Sequence, residues 1–267
     1  MTDQEAIRKQ VRKTYGDVAK AEPSSSGCCS GAQSEREIAD IHAERLGYSR
    51  EEAESVPDGA NLGLGCGNPS AIAAIQPGET VLDLGAGAGF DAFLAADQVG
   101  DEGQVIGVDM TPEMVEKARA NAQKVGATNI SFRLGEIEYL PVQDSTVDAI
   151  ISNCVINLSP DKPQVFAEAY RVLQPGGRLA ISDVVATAEI PDEVREDLEL
   201  HSCCVSGAST IDALETMLED AGFVDIRIEP KDESREFIRE WAPGIDVDDF
   251  VRSASIEAKK PASTSCC

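Results

Sequence analysis

From residue 79 onward, short apolar runs alternate with stretches whose apolar residues recur at helical spacing. The runs at 80–84, 104–108, 130–133, 147–152 and 178–182 predict five buried strands. Between them, residues 90–99, 112–125 and 160–173 predict helices. Thr111 is placed to cap the second of these, Pro112 opens it and Gly126 follows it. The third stops at Pro175-Gly176-Gly177. Strands and helices alternating at this spacing predict a doubly wound, mostly parallel α/β sheet of Rossmann-like form.

The flanks follow other patterns. Residues 3–20 predict a polar helix, 24–32 (SSSGCCSGA) a flexible loop and 34–55 a short charged helix. Residues 62–70 (LGLGCGNPS) are glycine-rich and irregular. Past the fifth strand, residues 191–201 predict a helix running into a cysteine pair. Thr210 caps a helix with Ile211, Leu214, Leu218 and Ala221 on one face. Residues 223–228 predict a strand that 250–258 can pair with, and the end, KKPASTSCC, reads as a disordered tail. Four parts are expected: 1–60 carrying a cysteine pair, a nucleotide-binding core over 61–185, a cap with closing strands over 186–260, and the tail 261–267.

Composition narrows the function. The 267 residues carry a net charge of -25, with Lys and Arg scattered among acids, so no basic patch offers itself to phosphates and no nucleic acid partner is expected. No apolar run reaches membrane-spanning length, and the charged N-terminus lacks a secretory apolar core. A cytoplasmic chain with no membrane partner is expected, a monomer by default. Six of the eight cysteines form adjacent pairs: Cys28-Cys29, Cys203-Cys204 and Cys266-Cys267. With two histidines and no C-x-x-C, the usual zinc spacings are absent. The cysteines are then either ordinary buried residues or a reactive thiol site drawn from distant segments.

The first strand runs into Gly85-Ala86-Gly87-Ala88-Gly89, and the second ends at Asp109, about 20 residues on. Glycines let a ligand approach the backbone, and an acid at this distance suits ribose hydroxyls. The spacing is G-x-G-x-G, and Asp83 precedes the loop. An acidic loop fits a ligand with an amino group and a sulfonium better than a pyrophosphate. VLDLGAGAGF, GVDM and LQPGGRL resemble successive signatures of class I S-adenosylmethionine methyltransferases. That resemblance implies Gly85, Gly87 and Gly89 for the methionine loop and Asp109 for the ribose. Met110, Glu136 and Ile137 would border the adenine, with Asn153 near the methionine end.

Cys66 lies before the first strand, Cys154 directly after the fourth, and Cys204 after the fifth, all in irregular segments. In order, LGLGCGNP, GVDMTPEMVEKA, GEIEYLPV, ISNCVINLSPDKP and CVSGA resemble the arsenite methyltransferases over residues 60–258. The resemblance implies that Cys154 and Cys204 hold trivalent arsenic in every form. Cys66 would complete the site for inorganic arsenite or exchange disulfides during turnover. It implies S-adenosylmethionine as co-substrate, arsenite or its thiol conjugates as substrate, and a thioredoxin or glutathione-like thiol reductant. Two other readings stay open: a methyltransferase for carbon or oxygen of a small metabolite, and a non-catalytic thiol sensor or scavenger of metalloids. A dinucleotide oxidoreductase is disfavoured by the loop spacing.

Overall fold

The computed structural model describes residues 3–20, 35–242 and 244–262. The described chain begins with α1 (Asp3–Lys20), α2 (Glu35–Arg45), α3 (Arg50–Ser55) and α4 (Ser70–Ala73). The alternating region follows as β1 (Thr80–Leu84), α5 (Phe90–Val99), β2 (Gln104–Asp109), α6 (Pro112–Val125), β3 (Ile130–Leu134), β4 (Val147–Asn153), α7 (Lys162–Val172) and β5 (Leu173–Ala186). Then come α8 (Asp192–Arg195), α9 (Leu198–Ser202), β6 (Ser209–Thr210), α10 (Ile211–Ala221), β7 (Val224–Pro230), α11 (Arg235–Ile238) and β8 (Val251–Lys259).

Seven strands form one sheet in the order β3-β2-β1-β4-β5-β8-β7, and the short β6 pairs with the end of β5. The first five strands are parallel, with Leu82 opposite Ile106 on one side and Ile150 on the other. Side chains alternate between the two faces of the sheet. Leu82, Leu84 and Ile150 join α7 and α10 residues such as Phe166, Leu214 and Leu218 in one core. Val81, Ala149 and Ile151 join Phe93, Val115 and Ala118 of α5 and α6 in the other. A third cluster, with Val11, Cys66, Cys154, Leu158, Val184, Cys204 and Ile238, covers the carboxyl ends of the central strands.

Several boundaries differ from the sequence expectation. The charged segment 34–55 is two helices, because Gly47 is left-handed (φ 97°) and Ser49 with Glu52 forms a capping box that starts α3. The segment 191–201 is broken by Asp197, whose carboxylate accepts from the amides of Glu199 and Leu200 and so begins α9 afresh. Thr111 makes no side-chain cap to α6; its amide donates to Asp109 Oδ1 at 2.8 Å. The fifth strand runs from 173 to 186 rather than 178 to 182: Leu173 pairs with Val147 of β4 at its start, and β8 lies antiparallel beside it from Arg178 to Ala186 and satisfies its backbone groups. The expected pairing of the last two strands is present, with Ile228 opposite Ile256. Among the described residues, no helix is long and apolar enough to cross a membrane.

Candidate functional site

The glycine loop closes over the carboxyl end of β1. Gly85 takes a positive φ of 69° and packs under the Val155 side chain so closely that a Cβ there would clash. Gly87, at φ 52°, has nothing within 4 Å of where a Cβ would stand, and it lines the open cleft. Asp109 holds this turn from β2, its Oδ2 accepting from the Gly87 amide at 2.9 Å. The amides of Gly87 and Thr111 and the Thr111 side chain bond that carboxylate, leaving part of its lone-pair capacity for a hydroxyl donor. The cleft opens to solvent and runs from the glycine loop past Asp109 and Met110 to Asn153 and Cys154.

Of the residues singled out in the sequence, Asp83, Gly85, Gly87, Asp109, Met110, Ile137, Asn153 and Cys154 line this cleft. Gly89 and Glu136 do not. Gly89 instead starts α5. Glu136 pairs with Arg12 at 2.7 Å and Arg8 at 3.5 Å, both on α1, and its neighbour Ile137 is the residue that reaches the cleft.

The cleft is acidic. Burial pushes the carboxyls of Asp83, Asp91 and Asp109 above the usual range, Asp91 to about 6. Asp83 is 2% exposed, and its Oδ2 has no hydrogen-bond partner. An unpaired buried acceptor beside an open cleft suits a positively charged ligand. S-adenosylmethionine, which carries an ammonium and a sulfonium, fits this donor set.

The thiol site adjoins the cleft. Cys66 and Cys154 are joined in a disulfide, with Cα atoms 5.8 Å apart. Cys204 donates its thiol to the Cys154 carbonyl at 2.9 Å. Both Cys154 (φ 57°) and Cys204 (φ 64°) sit in left-handed backbone, uncommon for residues with a Cβ. Cys154 turns the chain out of β4, its amide donating to the Ser182 carbonyl. Cys204 occupies the left-handed turn that ends α9, its amide donating to the His201 carbonyl. Burial pushes the Cys204 thiol well above its ordinary value, helped by Asp183. Cys203, next to it, is exposed. Cys28, Cys29, Cys266 and Cys267 lie outside the described residues.

A second cavity opens beside the cleft, lined by Cys154, Cys203, Cys204, His42, Ser202 and Trp241, among others. Tyr15, Leu64, Gly65 and Cys154 line both spaces. Cys154 therefore stands in the wall between the glycine-loop cleft and the thiol-lined cavity. The Cys66 and Cys154 sulfurs and an Asp183 carboxylate oxygen all lie within 4.8 Å of one another, and Cys204 is outside that group. Asp183 is buried and pushed up to about 6 by that burial, against amide donors from Val184, Ile156 and Asn157 and the charge of Lys162.

Five residues here are not evident from the sequence: Arg8, Tyr15, Tyr48, Asp91 and Asp183. Tyr15 has a signal, since Ile7, Val11 and Tyr15 fall on one face of α1 and all join the third core cluster. Asp91 lies two residues past Gly89, and Asp183 is an acid inside an apolar strand.

A family model for a methyltransferase domain matches residues 75–222. An arsenite methyltransferase of Halobacterium salinarum is 55% identical over 97% of this chain and 68% of its own length. A human protein of the same name is 36% identical over 83% of this chain and 59% of its own. The crystal structure of an arsenic(III) S-adenosylmethionine methyltransferase from Chlamydomonas reinhardtii matches with 37% identity and a TM-score of 0.61, over 85% of this chain and 74% of that one.

Proposed function

We propose, because the chain belongs to the arsenite methyltransferase family, that it transfers methyl groups from S-adenosylmethionine to trivalent arsenic held on its cysteines. The observation that carries this is Cys154, which lines both the glycine-loop cleft and the cavity containing Cys204. A thiol in that wall holds a soft centre at the boundary between the two ligands.

The co-substrate supplies an electrophilic methyl on a sulfonium. Asp91 offers negative charge to its cationic end, Asp83 offers its unpartnered Oδ2 as an acceptor, and Asp109 offers its free lone pairs to the ribose. The glycine loop lets the ligand lie against backbone. Cysteine thiols exchange with the hydroxides of arsenite, each thiol proton leaving with a hydroxide as water. No general base is consumed, so a thiol such as Cys204, kept protonated by burial, still loads. The arsenic lone pair then forms the arsenic–carbon bond as the carbon–sulfonium bond breaks; that electron pair stays on sulfur, the positive charge passes to the now pentavalent arsenic, and two arsenic-bound thiolates leaving as a disulfide return it to arsenic(III). Fixing both partners a short distance apart and in line supplies most of the acceleration.

The Cys66–Cys154 disulfide must first be opened. It takes two electrons, supplied by two thiols of a thioredoxin or glutathione-like reductant that leave as a disulfide. Both that partner and the free Cys203 and Cys204 suit a reducing cytoplasm. A carbon or oxygen methyltransferase would need a base at the methyl, and the wall between the two cavities presents sulfur there. A sensor would have no use for the cleft.

The Cys154→Ser and Cys204→Ser variants are expected to bind S-adenosylmethionine as the parent does and to lose arsenic methylation. Calorimetry and arsenic speciation measure the two effects. Full methylation by either variant would place the substrate elsewhere. Cys66→Ser is expected to lose inorganic arsenite as a substrate and to accept methylarsenite still.

A further inference from the structure

The Asn153 side chain lines the cleft, yet its amide is committed to protein. Oδ1 accepts from the Cys66 amide at 2.9 Å. Nδ2 donates to the Gly67 carbonyl at 2.8 Å and faces the Tyr48 hydroxyl at 3.0 Å and Asp91 Oδ2 at 3.2 Å. A side-chain amide has two donors and two lone pairs, so little capacity remains for a ligand. The Tyr48 hydroxyl in turn donates to Asp91 Oδ1 at 2.6 Å, and Tyr48 touches neither cavity. The loop carrying Cys66 is fitted to this amide: a Cβ on Gly65 would lie 2.8 Å from Asn153 Nδ2, and Gly65 adopts φ 113°. From the far side, Ser253 Oγ donates to the Cys66 carbonyl at 2.6 Å.

We propose that Asn153, braced by Tyr48 and Asp91, is a positioning residue for Cys66, fixing the backbone of this thiol to the wall of the glycine-loop cleft. The proposal deepens the arsenic reading and rests on it for the role of Cys66. Once the disulfide is reduced, this clamp is what keeps the Cys66 sulfur beside Cys154. Asn153 stands one residue before Cys154, so a single turn of chain sets both thiols. Asp91 is shared with the cleft wall, so the same carboxylate that offers charge to a cationic ligand also holds the clamp together.

The test compares reduced full-length parent, Tyr48→Phe and Asn153→Ala, all checked for folding by thermal melting. Cysteine alkylation by iodoacetamide is followed residue by residue by mass spectrometry. Both variants are expected to label Cys66 about tenfold faster than the parent, the scale of one lost buried hydrogen bond, while Cys204 labels at the parent rate. In the same variants, kcat/KM for arsenite is expected to fall about tenfold relative to that for methylarsenite. Cys66 labelling at the parent rate in both variants would overturn the proposal. Equal acceleration of Cys66 and Cys204 would overturn it too, since general loosening would then explain the change. Cys66→Ser assayed beside them tests the arsenic reading separately: equal loss on both arsenicals would refute the split role of Cys66 and leave the labelling result to decide the clamp.

Discussion

At the scale of single residues, the cleft concentrates carboxylates that water does not screen. Burial raises Asp91 from 3.8 to about 6, partly offset by hydrogen bonds from Tyr48 and Asn153. A cationic co-substrate prefers the ionised form of Asp91, so its affinity is expected to fall as pH drops through about 6. Titration calorimetry between pH 5 and 8 checks this, and Asp91→Asn is expected to bind about tenfold more weakly at pH 7.5 with the pH dependence reduced. Stability moves the opposite way. Between about 4 and 6 the folded chain keeps protons on Asp91 and Asp183 that the unfolded chain has released, so rising pH across that window costs stability. Asp83 and Asp109 are legible in the sequence, because a glycine loop and a strand end give them a local context. Asp91 and Tyr48 are not: their meaning lies in hydrogen bonds between residues 43 and 62 positions apart. The place of Asn153 in the cleft is legible from its position at the end of β4, but the commitment of its amide to the Cys66 loop has no signature in the chain.

Among the elements, α1 closes the cleft from outside the alternating region. Arg8 donates to Glu138 at 3.0 Å, and Glu138 is buried and also accepts from the Ser159 hydroxyl. Lys20 pairs with Glu113, and the Tyr15 hydroxyl donates to the Ser202 carbonyl at 3.1 Å. Removing Arg8 leaves a buried carboxylate short of its charged partner. Arg8→Ala is expected to cost about 1–3 kcal/mol in urea unfolding and to weaken co-substrate binding, whereas Arg12→Ala, whose partner Glu136 is half-exposed, should change little. No loss in Arg8→Ala would mean that α1 is held by its apolar stripe alone. The helix itself is readable over residues 3–20, but its docking surface belongs to tertiary contacts. The break between α8 and α9 is hidden in the sequence because Asp197 competes locally for backbone amides inside an otherwise helical pattern.

For the whole molecule, the five parallel strands are legible because each apolar run is bounded by turn residues. The place of β8 between β5 and β7 is not, since a non-sequential antiparallel insertion is decided by packing and leaves no periodic mark. A net charge of -25 on this fold implies self-repulsion that salt relieves. Raising KCl from about 0.1 to 1 M shortens the screening length from about 10 to 3 Å, and the melting temperature is expected to rise; an unchanged or lower value would show that the acids are already balanced by local pairs. The two cavities of this molecule meet at a cysteine, Cys154. The central claim is tested most directly by incubating the purified chain with S-adenosylmethionine, a dithiol reductant and arsenite, and then separating the arsenic species. Methylated arsenic forming in step with S-adenosylhomocysteine is the result this account predicts. Normal co-substrate binding with no methylated arsenic would contradict it.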